Sequence, residues 1–193
     1  MNLHNYFISL EKRFSELSEY VEIHEDNYGV YSNTIGLLLL STCAEFEIVC
    51  KEISKLVGYY AGNIRDIFDV LSSLEIDDER GFNILMESIS MEYFKISFKP
   101  FENWHRERSP FWWKAYNGFK HDRVTKYKDA NLKSVIYSLG ALSIINHYYI
   151  WLALHKTHSR DAPVMEMSKI PEIFTIDKVN YYGPVLASDF FDQ

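Results

Sequence analysis

Apolar residues at Leu3, Phe7, Leu10, Phe14, Leu17 and Val21 recur at steps of three and four, with Glu11, Lys12, Glu16, Glu19 and Glu22 on the other side. That spacing gathers the apolar set on one face of a helix and leaves the charged set in water. After the break HEDNYGVYSNT, where Ser32 or Asn33 can cap the next helix, the series Ile35, Leu38 or Leu39, Thr42, Phe46, Val49 or Cys50, Ile53 and Val57 predicts about six further turns. Gly58 is the expected stop. Beyond YYAGN, the residues Ile64, Ile67, Phe68, Leu71 and Leu74 predict a shorter helix ended by the acidic run EIDDER, and Phe82, Leu85, Met86 and Ile89 suggest another.

The next segment, FKISFKPF, alternates apolar and basic residues up to Pro100 and reads as extended chain or as a loop over the helices. Ser109 and Pro110 form a helix entrance, as cap and first-turn proline, for FWWKAYNGF. A last long helix is expected from near Tyr127, carrying Leu132, Val135, Leu139, Leu142, Ile145, Tyr149 and Leu152. The remainder holds three of the five prolines and the β-favouring fragments EIFTID and VNYYG. It reads as an irregular tail, with at most a short β-hairpin, folded over the helices. The expected architecture is therefore all-α, an up-and-down helical bundle over 1–158 with a tail over 159–193; no internal repeat is visible.

Length and composition fit this picture. A chain of 193 residues can bury a substantial single core without disulfides or structural metal. Cys43 and Cys50 lie seven apart in an apolar periodic stretch and read as reduced core residues. The N-terminus MNLHNYFISLEKRF lacks the basic start and apolar run of a secretory signal, so a cytoplasmic location is expected. IGLLLLSTCA, from Ile35, is about half the roughly twenty residues a bilayer requires, and LGALSIINHYYIWLAL, from Leu139, carries Asn146 and His147 near its middle. Both read as core helices, and no membrane association is expected.

Charge changes the picture most. The net charge of −7 conceals a basic island, because residues 95–133 hold ten Lys and Arg against four acids, net +6, while the rest holds ten against twenty-three, net −13. Within the island, WHRERSPFWWKAYNGFKHDR (104–123) holds three of the four tryptophans and two of the seven histidines, with Arg106, Arg108, Lys114, Lys120 and Arg123. Dense Trp, Tyr, Arg and His suggests a surface that meets a partner, whereas pairing of these charges with acidic helices is the plainer account.

Asn117 and His121 are four apart and project from one helical face, with Lys120 and Tyr116 alongside. An imidazole, with an ordinary pKa of about 6.5, can take a proton from a ribose 2′-hydroxyl while a nearby cation stabilises the phosphate oxygens. The planar fork of arginine suits the second role, and Arg123, Arg106 and Arg108 are the candidate donors. Lys114, Lys120, Tyr116 and Trp113 complete a candidate substrate surface, and Glu45, beside the buried stripe of the second helix, is a candidate for orienting a cation. His105, His121, His147, His155 and His158 lack the carboxylate spacing of zinc or iron sites, although His155-x-x-His158 sits at a helix end. GxxxxGK[ST], GxGxxG and GxSxG are all absent. Neither a metal nor a cofactor is expected.

The YN-x-x-KH-x-R core of PFWWKAYNGFKHDR, on the helix before the last long helix of a small bundle, resembles the HEPN superfamily and its bacterial HEPN-like members. The likeness spans Ile35 to Leu154, and the family's RNase motif is commonly Arg-Asn-x-x-x-His. The resemblance implies a homodimer that sets two motifs at one cleft, and a metal-independent endoribonuclease of toxin or phage-defence type, with an antitoxin or other protein partner. His121 would be the acid or base and Asn117 its polar support. Tyr116 stands where the family has its arginine, and a phenol carries no permanent positive charge at pH 7. Either Lys120 or Arg123 replaces it, or the site keeps RNA binding without cleavage. The alternative is a non-catalytic interaction or dimerisation module whose paired tryptophans and tyrosines dock a protein.

Overall fold

The computed structural model describes residues 3–74, 84–156 and 171–177. The EIDDER run, Phe82, VNYYG and His158 lie outside these residues, as does most of the tail, and the side chain of His155 is likewise not described. Among the described residues there are six α-helices: α1 (Leu3–Ser18), α2 (Asn33–Leu56), α3 (Ile64–Ser73), α4 (Phe111–His121), the single turn α5 (Arg123–Lys126) and α6 (Leu132–Lys156). Three short strands, β1 (Ile89–Met91), β2 (Ile96–Phe98) and β3 (Thr175–Ile176), form an antiparallel sheet in the order β2-β1-β3.

The two most apolar helices, α2 and α6, make the principal helix pair. They run parallel, because Leu132 at the start of α6 donates its N–H to Val30 just before α2 at 2.8 Å, and Tyr31 bridges Asn131. Between them α6 buries Val135, Ile136, Leu139, Leu142 and Ile145, and α2 buries Ile35, Leu39, Cys43, Phe46 and Ile53. Both α1 and α4 pack against this pair. Contacts of Phe46 with Trp112, near the start of α4, and of Phe119 with Gly36 show that α4 runs opposite to α2. The helical body foreseen from the sequence is thus present.

Local chemistry sets the ends of α2. The Ser32 side chain accepts from Ile35 N–H at 3.2 Å, and Gly58, at φ +80°, closes the helix as Tyr59 N–H reaches Ser54 C=O at 2.8 Å. Gly36 lacks a Cβ where one would lie 2.3 Å from Phe119 Cζ, so the end of α4 approaches the α2 backbone directly. Gly140 gives Phe98 the same access to α6, which seats the sheet on that helix.

Four expectations need correction. The fold is not purely helical, since residues 84–88 are not helical and β1 occupies Ile89–Met91, at the end of the stretch where a helix was foreseen: Ile89 and Met91 point together into the core with Ser90 between them, a strand period too short to stand out in the sequence. Among the described residues β1 and β2 form a hairpin and EIFTID supplies β3, whose Ile176 pairs with Ile89, while the VNYYG half of the hairpin foreseen in the tail lies outside them. The first residue of α4 is Phe111, with Pro110 in the cap position and no side-chain cap, so Ser109 does not serve as one. The long helix begins at Leu132 rather than Tyr127, because the Val30 and Tyr31 bonds pull the chain aside there, and Asn131 Oδ1 caps the new start by accepting from Ser134 N–H at 3.0 Å. Glu11, expected in water, is buried.

Candidate nucleic-acid interface

Helix α4 is amphipathic in an unusual sense, because its buried face is almost wholly aromatic. Trp112 and Trp113 are both buried, although adjacent helical positions diverge, since α4 lies between α2 and the 100–104 loop. Phe46 meets both indoles, at centroid distances of 5.1 and 6.0 Å, and Trp112 Nε1 donates to Pro100 C=O at 2.9 Å. Trp104 joins the same cluster through Phe46, Phe68 and Phe101. The three tryptophans therefore build the core, which withdraws Trp113 from a substrate surface and removes a tryptophan docking face from the interaction-module alternative.

Tyr116 is also buried, with its ring 5.0 Å from that of Trp113, and its hydroxyl accepts from Lys120 Nζ at 3.3 Å. Lys120 also lies 5.3 Å from the Tyr116 ring, so the phenol that stands in place of an arginine is itself topped by a cation. Lys51, on α2, is held above the usual lysine value, first by its hydrogen bond to Glu47 and, to a smaller extent, by the nearby Tyr60 and Tyr116 phenols.

The exposed side of α4 carries Lys114, Lys120 and His121, with Asn117 partly exposed. At its end the chain folds back through α5, and Gly118 permits this: a Cβ there would sit 3.2 Å from Lys126 Cβ. Asp122 caps α5 by accepting from the Thr125 hydroxyl and from its N–H at 3.4 Å, and these bonds hold its carboxyl below the usual range. Arg123 stacks on Phe119, 4.7 Å from the ring centre, and Phe119 stacks on Tyr127 at 5.8 Å. Tyr127 in turn donates to Asn33 Oδ1 at 2.9 Å, and Lys128 lies 5.9 Å from the Tyr31 ring.

Two predicted members fall elsewhere. Arg106 precedes α4 and is paired with Asp69 of α3 at 3.0 Å and with Glu107 at 3.5 Å, which raises its already high pKa. Arg108 closes the same tight turn through its backbone bonds to His105. From this entrance to His121 the helix spans about 15 Å at 1.5 Å per residue, so the basic stretch forms two clusters, one holding Arg106, Arg108 and His105 and the other, at the α4 end, holding His121. Glu45 is buried in α2, its Oε1 without a hydrogen-bond partner among the described residues, and burial pushes its carboxyl upward. It makes no ion pair among those residues, so the cation it was expected to orient is not beside it.

No family model, curated protein or solved structure matches the chain. Among the described residues, no group of three His, Cys, Asp or Glu could hold a metal. Among the described residues two helices, α2 and α6, are long and apolar enough to cross a membrane, and in the fold 56% and 78% of their apolar windows are buried.

Proposed function

We propose that the end of α4 and the turn α5 bind RNA through its phosphates, in a HEPN-like homodimeric protein of the cytoplasm. The observation that carries this is a run of nine residues, 120–128, in which Lys120, His121, Arg123, Lys126 and Lys128 all reach the surface. The acids beside them are engaged, Asp122 by Thr125 and Asp129 by Lys126 at 3.9 Å. The aromatic layer of Phe119, Tyr127 and Tyr31 beneath holds Arg123 and Lys128 in place. A surface so arranged attracts a polyanion although the whole chain is acidic. The YN-x-x-KH-x-R likeness supports RNA as that polyanion. In the catalytic form of this reading, His121 transfers the 2′-hydroxyl proton, Asn117 and Arg123 hold the phosphate, and no metal takes part; a toxin or defence setting with a protein antitoxin accompanies it.

Fluorescence anisotropy with a labelled single-stranded RNA tests the binding. The expected result is an affinity that falls steeply with salt and weakens in Lys120→Gln/Arg123→Gln, by about 0.7 in the slope of log K against log salt for each phosphate left without its cation. Affinity that is absent or indifferent to salt overturns it. Gel analysis of the same RNA with wild type and His121→Ala separates cutting from binding.

A further inference from the structure

We infer that the outer face of α2 is the seat of a second copy of this chain, packed antiparallel across a two-fold axis. Opposite its core stripe, α2 presents Leu37, Ser41, Ala44 and Ile48, spaced by four, three and four residues, which places them along one helical seam. Leu37 is 59% and Ile48 46% exposed, and Ala44 between them is exposed as well. The one hydroxyl on the seam, Ser41 Oγ, already donates to Leu37 C=O at 3.0 Å, so the stripe offers a partner no unmet polar group of its own.

The order large, small, small, large reads the same from either end, and that symmetry selects the occupant. An antiparallel copy sets Leu37 against the partner's Ile48 and Ser41 against the partner's Ala44, bulk beside bulk and small residues at the axis where the backbones come closest. An isologous contact needs such self-complementarity, which a helix of unrelated sequence has no reason to match. Charge agrees with this choice. Lys51 pairs with Glu47 and Lys55 with Glu52 within the helix, so two acidic chains meet along a neutral line. The antiparallel arrangement also sets each α2 N-terminus, which has no acidic residue in its first turn, toward the negative, C-terminal end of the other helix's dipole.

The consequence for the cationic ends is geometric. Gly36, where α4 ends against α2, lies about 13 residues along the seam from its symmetry mate, or roughly 20 Å at 1.5 Å per residue. The two His121 side chains then belong to separate surfaces on one dimer, unlike the shared cleft that the HEPN resemblance implies, so this pairing accommodates RNA binding at each α4 end and not a composite two-histidine site. Pairing along this seam requires no bound nucleic acid.

Sedimentation of the whole chain tests it. A dimer is expected at micromolar concentration, with Leu37→Glu/Ile48→Glu shifting it to monomer while the helical circular dichroism and melting stay cooperative. Met86→Glu, also at an exposed apolar side chain but off this seam, should leave the dimer intact. Ser41→Cys/Ala44→Cys should give a disulfide-linked dimer on mild oxidation, since Cys43 and Cys50 are buried and free. A monomeric wild type, a dimer indifferent to the charged pair, or flotation of the chain with lipid vesicles in place of self-association overturns the inference. RNA affinity is measured separately, so loss of the dimer and loss of binding remain distinguishable.

Discussion

The backbone N–H of Phe174 donates to Glu11 Oε1 at 3.0 Å, joining positions 163 residues apart. Ile173 N–H shares that oxygen at 2.8 Å and Glu172 N–H reaches Oε2 at 3.0 Å, so one carboxylate of α1 receives three consecutive amides. Phe174 C=O accepts from Ser143 of α6 at 3.0 Å, and its ring packs on Phe14 at 5.3 Å. The segment 171–177 is thereby fastened to two helices, and β3 completes the sheet.

Replacement of Glu11 by alanine should release that segment. Three amides lose their acceptor, and an unmet buried donor costs about 1–3 kcal/mol, so the chain will detach here rather than bear all three. A fall in melting temperature, with fast hydrogen exchange at 172–174 and slow exchange retained along α6, is the expected result. Slow exchange retained at Phe174 N–H would show that β3 pairing alone holds the segment.

Helices α1, α2 and α6 are legible in the sequence because each is long enough for its apolar period to repeat, and the Ser32 cap and Gly58 stop are local chemistry. Strand β1 is not, since three residues carry little period and their pairing with Ile176 is fixed by contacts 87 positions away. Glu11 looks solvated by its neighbours, and nothing near it announces the amides of 172–174. Composition misleads at Trp112 and Trp113, because richness in aromatic and basic residues does not tell which members face inward. The stretch divides: rings to the core, charges to the surface.

Stability should respond to pH through Glu45. Burial raises its carboxyl above the ordinary value of 4.5, so the folded chain holds this proton more tightly than the unfolded one, and between the two values stability falls as pH rises. Glu45→Gln removes that dependence. Urea midpoints of wild type relative to Glu45→Gln should therefore decline from pH 4.5 towards neutrality and then level off. A relative midpoint that rises over this range would mean the carboxylate finds a partner when ionised.

Gly36 and Phe119 should prove coupled. A methyl at 36 collides with the Phe119 ring at 2.3 Å, and overpacking of this kind costs about 1–3 kcal/mol. Gly36→Ala is expected to destabilise, and Phe119→Leu, which costs stability on its own, should recover part of the loss when the two are combined. Additive effects in the double-mutant cycle would show that α4 shifts freely away from α2.

Two lysines of the basic island should separate stability from binding. Lys133 Nζ lies 5.5 Å from the rings of Tyr28 and Phe111 and 5.6 Å from that of Tyr137, inside a cage made by the 19–32 loop, α4 and α6. Burial lifts Tyr28 to about 12 and raises Tyr137, so both phenols stay neutral around it at physiological pH. A cation facing three rings contributes on the order of 1–2 kcal/mol. Lys133→Met should thus lower the melting temperature while leaving RNA affinity close to wild type, because this charge faces inward. Lys120, whose ammonium tops Tyr116 at the surface, should behave oppositely: Lys120→Gln weakens RNA binding with little change in melting. Loss of RNA affinity in Lys133→Met at a temperature where the variant is fully folded would move the binding surface to the start of α6.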